Sequence, residues 1–289
     1  MASIETMETH MPRTILITGT SSGYGRAAAQ LFLDRGWNVV ATMRRPEASP
    51  FAQDTGRLKV LPLDITSEGS ITDAIEAAIG AFGGIDVWVN NAGIGLASIV
   101  EATPGATVRE IFETNTFGVI SACRAIIPQM RRQGHGVIVN VTSSVTIGVM
   151  PLVAIYAASK FAVEGFTEAL SYELDSCGIK ARLVEPGYAP TTRFSANGSA
   201  RMEGLFPHGY DDFTQACFAR MADYPTAYCT EEEVADAVYA AATGEGDRLR
   251  YLAGADTKFL ADLRWSTSEE QYRRTMRETF GPAPRPVEA

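Results

Sequence analysis

The sequence predicts an α/β protein: a doubly wound parallel sheet of about seven strands with helices on both faces. Two observations carry that expectation. Short apolar, often β-branched runs alternate with longer segments whose apolar residues recur at helical spacing. No linker, repeat or low-complexity tract interrupts the alternation, so the strands belong to one sheet whose crossover helices cover its faces. The 289 residues are accordingly read as a single domain over residues 13–280, with a flexible leader at 1–12 and a flexible, Pro-rich tail at 281–289.

Taken in order, Arg13 to Thr18 is a buried strand ending at Gly19. Arg26 to Arg35 follows as a helix with Ala27, Leu31 and Phe32 on its apolar face, closed by Gly36 as a C-terminal cap. Asn38 to Met43 is the second strand and Leu58 to Leu63 the third, with Ser67 to Phe82 as the next helix. Ile85 to Val89 is the fourth strand and runs into Asn90-Asn91-Ala92-Gly93. Thr107 to Arg132 reads as a helical region interrupted around Asn115-Thr116, with Pro128 an awkward residue near its end. Val137 to Val141 is the fifth strand, followed by a helix over 155–176. Ile179 to Val184 is the sixth, stopped by Glu185-Pro186-Gly187. Thr230 and Glu233 form a capping box for a helix reaching Ala242, and Arg248 to Leu252 supplies the seventh strand.

Composition narrows the function. A formal charge of −9 argues against nucleic acid as a partner, because phosphate binding leaves a basic footprint. The four cysteines, Cys123, Cys177, Cys217 and Cys229, lack metal or redox spacing and read as reduced thiols. His10, His135 and His208 form no ligand-spaced cluster, so no metal site is expected. The first dozen residues lack the apolar stretch of a signal peptide, and no run approaches the ~20 apolar residues of a membrane span. A cytoplasmic, membrane-free protein is the expectation.

Two stretches carry chemistry. The turn after the first strand holds Gly19, Gly23 and Gly25 with Thr20, Ser21 and Ser22 between them. Strand before and helix after is the context of a pyrophosphate site, where glycines admit the phosphates and the helix N-terminus attracts their charge. The second strand ends in Arg44-Arg45 with no carboxylate. A guanidinium there suits the 2′-phosphate of NADP, whereas an acidic residue would bind the free 2′-hydroxyl of NAD; the competing reading is a solvated basic pair on a loop. The other stretch is Tyr156-Ala157-Ala158-Ser159-Lys160. On a helix Tyr156 and Lys160 share a face one turn apart. A fixed ammonium is expected to favour the phenolate and lower the tyrosine pKa from its usual ~10. The pair is then a general acid/base, although an ordinary surface pair has the same spacing.

Together these residues resemble the short-chain dehydrogenase/reductase family in its compact, non-extended branch, with a Rossmann-type fold. The resemblance runs from about Arg13 to Gly254. Thr18 to Gly25 is similar to the family's TGxxxGxG loop, with Tyr24 in place of the usual small aliphatic residue. The resemblance implies that Asp64, with Ile65 beside it, contacts the adenine, and that Asn91, Ala92 and Gly93 shape the cofactor floor. It implies that Pro186, Gly187 and Thr191 embrace the nicotinamide end. It also makes Ser143, thirteen residues before Tyr156, the catalytic serine, with Tyr156 as proton donor, Lys160 as the ribose anchor and Asn115 as the relay asparagine. Some NADP-specific members carry a basic residue just before the second glycine, where Ser22 stands here.

The implied activity is NADP(H)-dependent interconversion of a ketone or aldehyde and an alcohol, in a homodimer or homotetramer paired through 107–132 and 155–176. The substrate is expected among 95–100, 145–155 and 188–224. The last, read as a mobile lid over about 188–225, is rich in aromatic and Met residues and favours a hydrophobic or aromatic carbonyl. Phe213, Cys217 and Met221 at i, i+4, i+8 are read either as part of that pocket or as a helix's buried stripe. The competing functions are a catalytically idle dinucleotide sensor and an NAD-dependent alcohol dehydrogenase of the same fold.

Overall fold

The computed structural model describes residues 12–51 and 56–282. The expected leader lies outside these residues except for Pro12, and so does the tail from 283 onward. Seven strands form one sheet: Thr14–Thr18 (β1), Asn38–Met43 (β2), Leu58–Pro62 (β3), Val87–Asn90 (β4), Gly136–Val141 (β5), Ile179–Pro186 (β6) and Arg250–Ala253 (β7). Their order is β3-β2-β1-β4-β5-β6-β7, and every neighbouring pair is parallel. The strand order reverses between β1 and β4, the place where open α/β sheets leave a crevice beyond their carboxyl ends.

Ten helices accompany the sheet among the described residues: Gly23–Asp34 (α1), Glu68–Phe82 (α2), Gly105–Phe112 (α3), Gly118–Gln133 (α4), Ala154–Asp175 (α5), Phe194–Met202 (α6), Asp211–Ala222 (α7), Glu231–Thr243 (α8), Ala255–Ser266 (α9) and Glu269–Phe280 (α10). None is long and apolar enough to cross a membrane. The period-2 alternation of the strands divides the core in two. Ile15, Ile17, Val39, Ala41, Val87, Val89 and Val139 face α1 and α8, together with Phe32 and Val238. Leu16, Val40, Trp88 and Ile138 face α2, α4 and α5, together with Ile75, Ile126 and Val163.

The expected break in the helix at 107–132 is a π-helical turn, Glu113–Phe117, joining α3 to α4. Pro128 does not end α4, which continues to Gln133; the missing N–H is the only bond its backbone cannot make, and the helix absorbs it near its end. β7 starts two residues later than expected, at Arg250. The two C-terminal helices were not foreseen. α10 buries Tyr272, Met276 and Phe280 at i, i+4, i+8 beneath a charged face and packs with α9 on Ile147 and Leu260. The Tyr272 hydroxyl donates to the Ile147 carbonyl at 3.3 Å, bracing the loop that follows Ser143.

Candidate active site

The glycine loop sits at the β1–α1 turn and is locked from the next strand. The Thr18 hydroxyl accepts the Asn91 and Ala92 amides at 3.0 Å each and donates to the Val89 carbonyl at 3.2 Å. The Asn91 side chain returns the contact, donating to the Thr18 and Gly19 carbonyls at 2.8 and 3.1 Å. Gly19, at φ 73°, lies so close to Ala92 that a Cβ there would meet its Cα at 2.9 Å. Asn90 instead turns into the core, linking Trp88, Asn140 and, through Asn140, Thr167 in one buried chain of hydrogen bonds.

Ser143 follows β5, half-buried, and Tyr156 and Lys160 lie buried on the first turns of α5. The Ser143 hydroxyl hydrogen-bonds the Tyr156 phenol and draws its pKa down, but burial outweighs it and pushes the phenol up to about 12. Lys160 Nζ donates to the Val141 carbonyl at 3.1 Å. Burial pushes its ammonium down to about 8, against the attraction of Glu164. The structure therefore departs from the expected lowering of the Tyr156 pKa by Lys160: desolvation costs both charged forms more than their neighbourhood returns.

Asn115 comes in from the π turn. Its amide donates to the Ile94 carbonyl and the Ser159 hydroxyl at 2.9 and 3.2 Å, and its Oδ1 accepts the Ile94 amide at 2.9 Å. Gly93 lies between Asn115 and Lys160, where a Cβ would stand 3.3 Å from the one side chain and 3.4 Å from the other. Ser143, Tyr156, Lys160 and Asn115 thus gather at the sheet's carboxyl edge, next to Gly93 and the glycine loop.

The remaining sequence-selected residues spread along the same edge. Ser21 is exposed, and Ser22 and Gly23 are half-buried at the start of α1. Arg44 is exposed after β2, and its charge helps hold the Asp64 carboxyl below its usual range, after the leading influence of the Thr66 amide. Asp64 accepts the Thr66 amide and hydroxyl at 2.9 and 2.8 Å, so it also shapes its own turn, while Ile65 is buried. Thr191 is exposed, and it is Thr192 that faces Gly23, 3.5 Å from where its Cβ would stand.

Tyr24, the departure from the usual glycine loop, spans the crevice. Its hydroxyl donates to the Gly187 carbonyl at 2.8 Å, and burial raises its pKa, which keeps it a donor. The Gly187 amide donates to Ala253, the Tyr188 amide to Asp256 Oδ2 at 2.8 Å, and the Tyr188 carbonyl accepts from Cys229 at 3.1 Å. The root of the segment 188–225 is thereby tied to α1, β7, α9 and the loop before α8. Sequence reasoning missed Asp256; the signal was a buried acid at the start of an unrecognised helix. Tyr24→Phe should cost about 1 kcal/mol of stability, the worth of one such bond, readable by denaturant unfolding; an unchanged midpoint would show that the strut contributes nothing.

The segment 188–225 reaches back over Tyr156. The Phe194 ring meets Tyr156 edge-on at 5.9 Å between centroids and covers Gly95. Arg201 on α6 grips Glu110 on α3 with two bonds of 3.0 and 2.7 Å. A cavity of about 410 Å³ is lined by Ser98, Ile99, Val100, Glu101, Leu152, Ala154, Tyr210 and Phe213, from all three segments expected around the substrate. The disputed stripe divides: Phe213 lines the cavity, Cys217 is core, and Met221 packs towards α10. Leu152 sits in the wall at φ 67°, a costly conformation for a branched residue, and its carbonyl accepts the Ser98 amide at 2.7 Å.

A glycine loop at the switch point, facing a half-buried serine and a buried tyrosine and lysine, defines a nucleotide-cofactor oxidoreductase. The chain belongs to the short chain dehydrogenase family, whose model matches residues 13–202. It is 39% identical over 176 residues to a 3-ketodihydrosphingosine reductase of Bacteroides thetaiotaomicron, a match covering 61% of this chain and 64% of that protein. Among solved structures it superposes on a short chain dehydrogenase from Burkholderia cenocepacia in complex with NADP (TM-score 0.70, 25% identity, 92% of this chain and 96% of the other). It also superposes on a 3-ketoacyl-(acyl-carrier-protein) reductase from Brucella melitensis complexed with NADH (TM-score 0.68, 26% identity, 84% and 98%).

Proposed function

We propose that the protein is an NADP(H)-dependent carbonyl reductase acting on a hydrophobic or aromatic ketone or aldehyde, with Tyr156 as general acid/base. The observation that carries this reading is the convergence of Ser143, Tyr156 and Lys160 beside Gly93 and the glycine loop. The loop fits a dinucleotide. Ser22 makes no side-chain cap on α1 and no acidic residue stands in the first turn, leaving helix-end amides for a pyrophosphate. Gly19, Ser21, Ser22, Gly23, Tyr24 and Gly25 would hold it, with Arg44, Asp64 and Ile65 at the adenosine end. Asn91, Ala92, Gly93, Pro186, Gly187 and Thr191 would hold the nicotinamide end. When bound, the dinucleotide supplies or accepts the hydride.

The chain's own residues do the rest. Ser143 and Tyr156 hold the carbonyl oxygen, and the phenol releases its proton as negative charge develops there. Lys160 in its charged form anchors the ribose hydroxyls and offsets the burial that holds the phenol near 12. The Asn115 side chain is engaged by Ile94 and Ser159, so in this reading its main chain holds the relay water. The apolar residues packed around Tyr156, among them Leu96, Leu205 and Met202, support an apolar substrate. Exposed Phe117, Phe161 and Tyr172 on the π turn and α5 support pairing of copies through 107–132 and 155–176.

Arg44→Asp should weaken NADPH binding at least tenfold while leaving NADH binding nearly unchanged, as read by titrating each dinucleotide. Equal losses would end the NADP assignment. The second reading, NAD-dependent alcohol oxidation, is favoured by Ser22 where a basic residue would stand, and by the neighbour complexed with NADH. Initial rates with both reduced dinucleotides over aliphatic, aromatic and steroidal ketones decide between them, and preference for small charged substrates would overturn the apolar pocket.

A further inference from the structure

A buried acidic side chain outside the serine–tyrosine–lysine group touches the parts that hold it. Glu164 is one turn beyond Lys160 on α5 and is 4% exposed. Its Oε1 accepts the Thr142 hydroxyl and stands 3.1 Å from that of Thr146. Those residues bracket Ser143, and the Thr146 hydroxyl also donates to the Ser143 carbonyl at 2.7 Å. Val141, the next residue back, presents the carbonyl that takes Lys160 Nζ. One carboxylate is thus bound to the near side of the serine turn, lies 3.1 Å from the hydroxyl on its far side, and shares a helix face with the lysine.

We propose that Glu164 is a positioning residue for the reaction, fixing the turn that presents Ser143 and serving as the counter-charge of Lys160. The catalytic part of this rests on the function proposed above. A simpler account would make Glu164 the partner of Arg250, which bonds it from β7. But Arg250 is divided among three carboxylates, reaching Glu185 Oε1 at 2.7 Å and Glu168 Oε2 at 3.3 Å as well. Glu185 is fully buried on β6, and its second oxygen has no hydrogen-bond partner. Burial and the charge of Glu164 push the Glu185 carboxyl up, against the pull of Arg250. The charged groups facing Glu164 are therefore Lys160 and Glu168 on its own helix, Glu185 on β6 and Arg250 on β7; the serine turn contributes hydroxyls. The Glu164 carboxylate, one turn along the same helix, favours the ammonium of Lys160.

Glu164→Gln keeps the shape and an acceptor for Thr142 while removing the charge. The alkaline limb of the kcat/KM profile for carbonyl reduction should move down by about one pH unit, the size of one charge–charge contact. A uniform fall in rate with the limb in place would overturn the counter-charge role, as would an unchanged profile. Lys160 is also readable without any substrate, by NMR titration of [13Cε]lysine-labelled protein, with the signal assigned against Lys160→Arg among Lys59, Lys180 and Lys258. Its midpoint should fall in Glu164→Gln, and an unmoved midpoint refutes the proposal even if the wild type reduces nothing, which would refute the proposed function instead. Thr146→Val keeps the charge, and so serves should Glu164→Gln fail to fold. It should lower kcat severalfold with the alkaline limb and the Lys160 titration in place, and wild-type kcat would overturn the positioning of Ser143.

Discussion

Tyr156→Phe should lose between about a hundredfold and ten-thousandfold in kcat, the range that one positioned proton donor supplies. The substitution removes one atom from a ring that stays packed against Leu96, Val145, Leu205 and the edge of Phe194. The phenol's hydrogen bond is to Ser143, so nothing in the sheet or the glycine loop depends on it. The melting temperature should stay within a few degrees of wild type, and dinucleotide affinity within severalfold, because Gly19 to Gly25 and Lys160 are untouched. Stopped or steady-state assay of carbonyl reduction, together with dinucleotide titration, separates these readouts. Turnover near that of the wild type would remove Tyr156 from the chemistry and leave the same residues as a binding site only.

The sheet was legible because most strands are short and rich in β-branched residues, and because burial on both faces of β1, β2 and β4 leaves no polar alternation to confuse the period. The glycine loop and the Ser143, Tyr156, Lys160 and Asn115 set were legible through spacing along the chain, since each falls at the end of a strand or on the next helix. What spacing cannot convey is desolvation. Tyr156 and Lys160 at i, i+4 suggest a lowered phenol pKa, yet the loops that bury them shift both groups towards their neutral forms. Contacts between distant segments were equally hidden. Tyr24 reads as an odd residue in a loop until Gly187 is brought to its hydroxyl, and Asp256 has no meaning until α9 docks beneath Tyr188. The stripe of Tyr272, Met276 and Phe280 was visible in principle, but a charged segment after the last strand gave no reason to look for a buried face.

Gly25→Ala should be the more damaging of the two simplest changes in the glycine loop, and the reason is space rather than backbone conformation. Gly23 holds φ 58°, where a side chain is strained by roughly 1–2 kcal/mol, but a Cβ there meets only Thr192 at 3.5 Å. Gly25 has ordinary helical backbone, yet its Cβ would overlap the Asn91 amide and the Gly19 carbonyl. Those two atoms are bonded to each other at 3.1 Å, and the same amide also holds Thr18. The methyl group must push apart the contact that fixes the loop to β4, at a cost of about 1–3 kcal/mol for overpacking. Displacing Gly19 also moves the start of α1, the surface that would receive a pyrophosphate. Dinucleotide affinity should therefore fall at least tenfold in Gly25→Ala and by less in Gly23→Ala, while the melting temperature drops in both. If Gly25→Ala bound dinucleotide as tightly as the wild type, the closed packing of Asn91 on the glycine loop would not be what shapes the cofactor site.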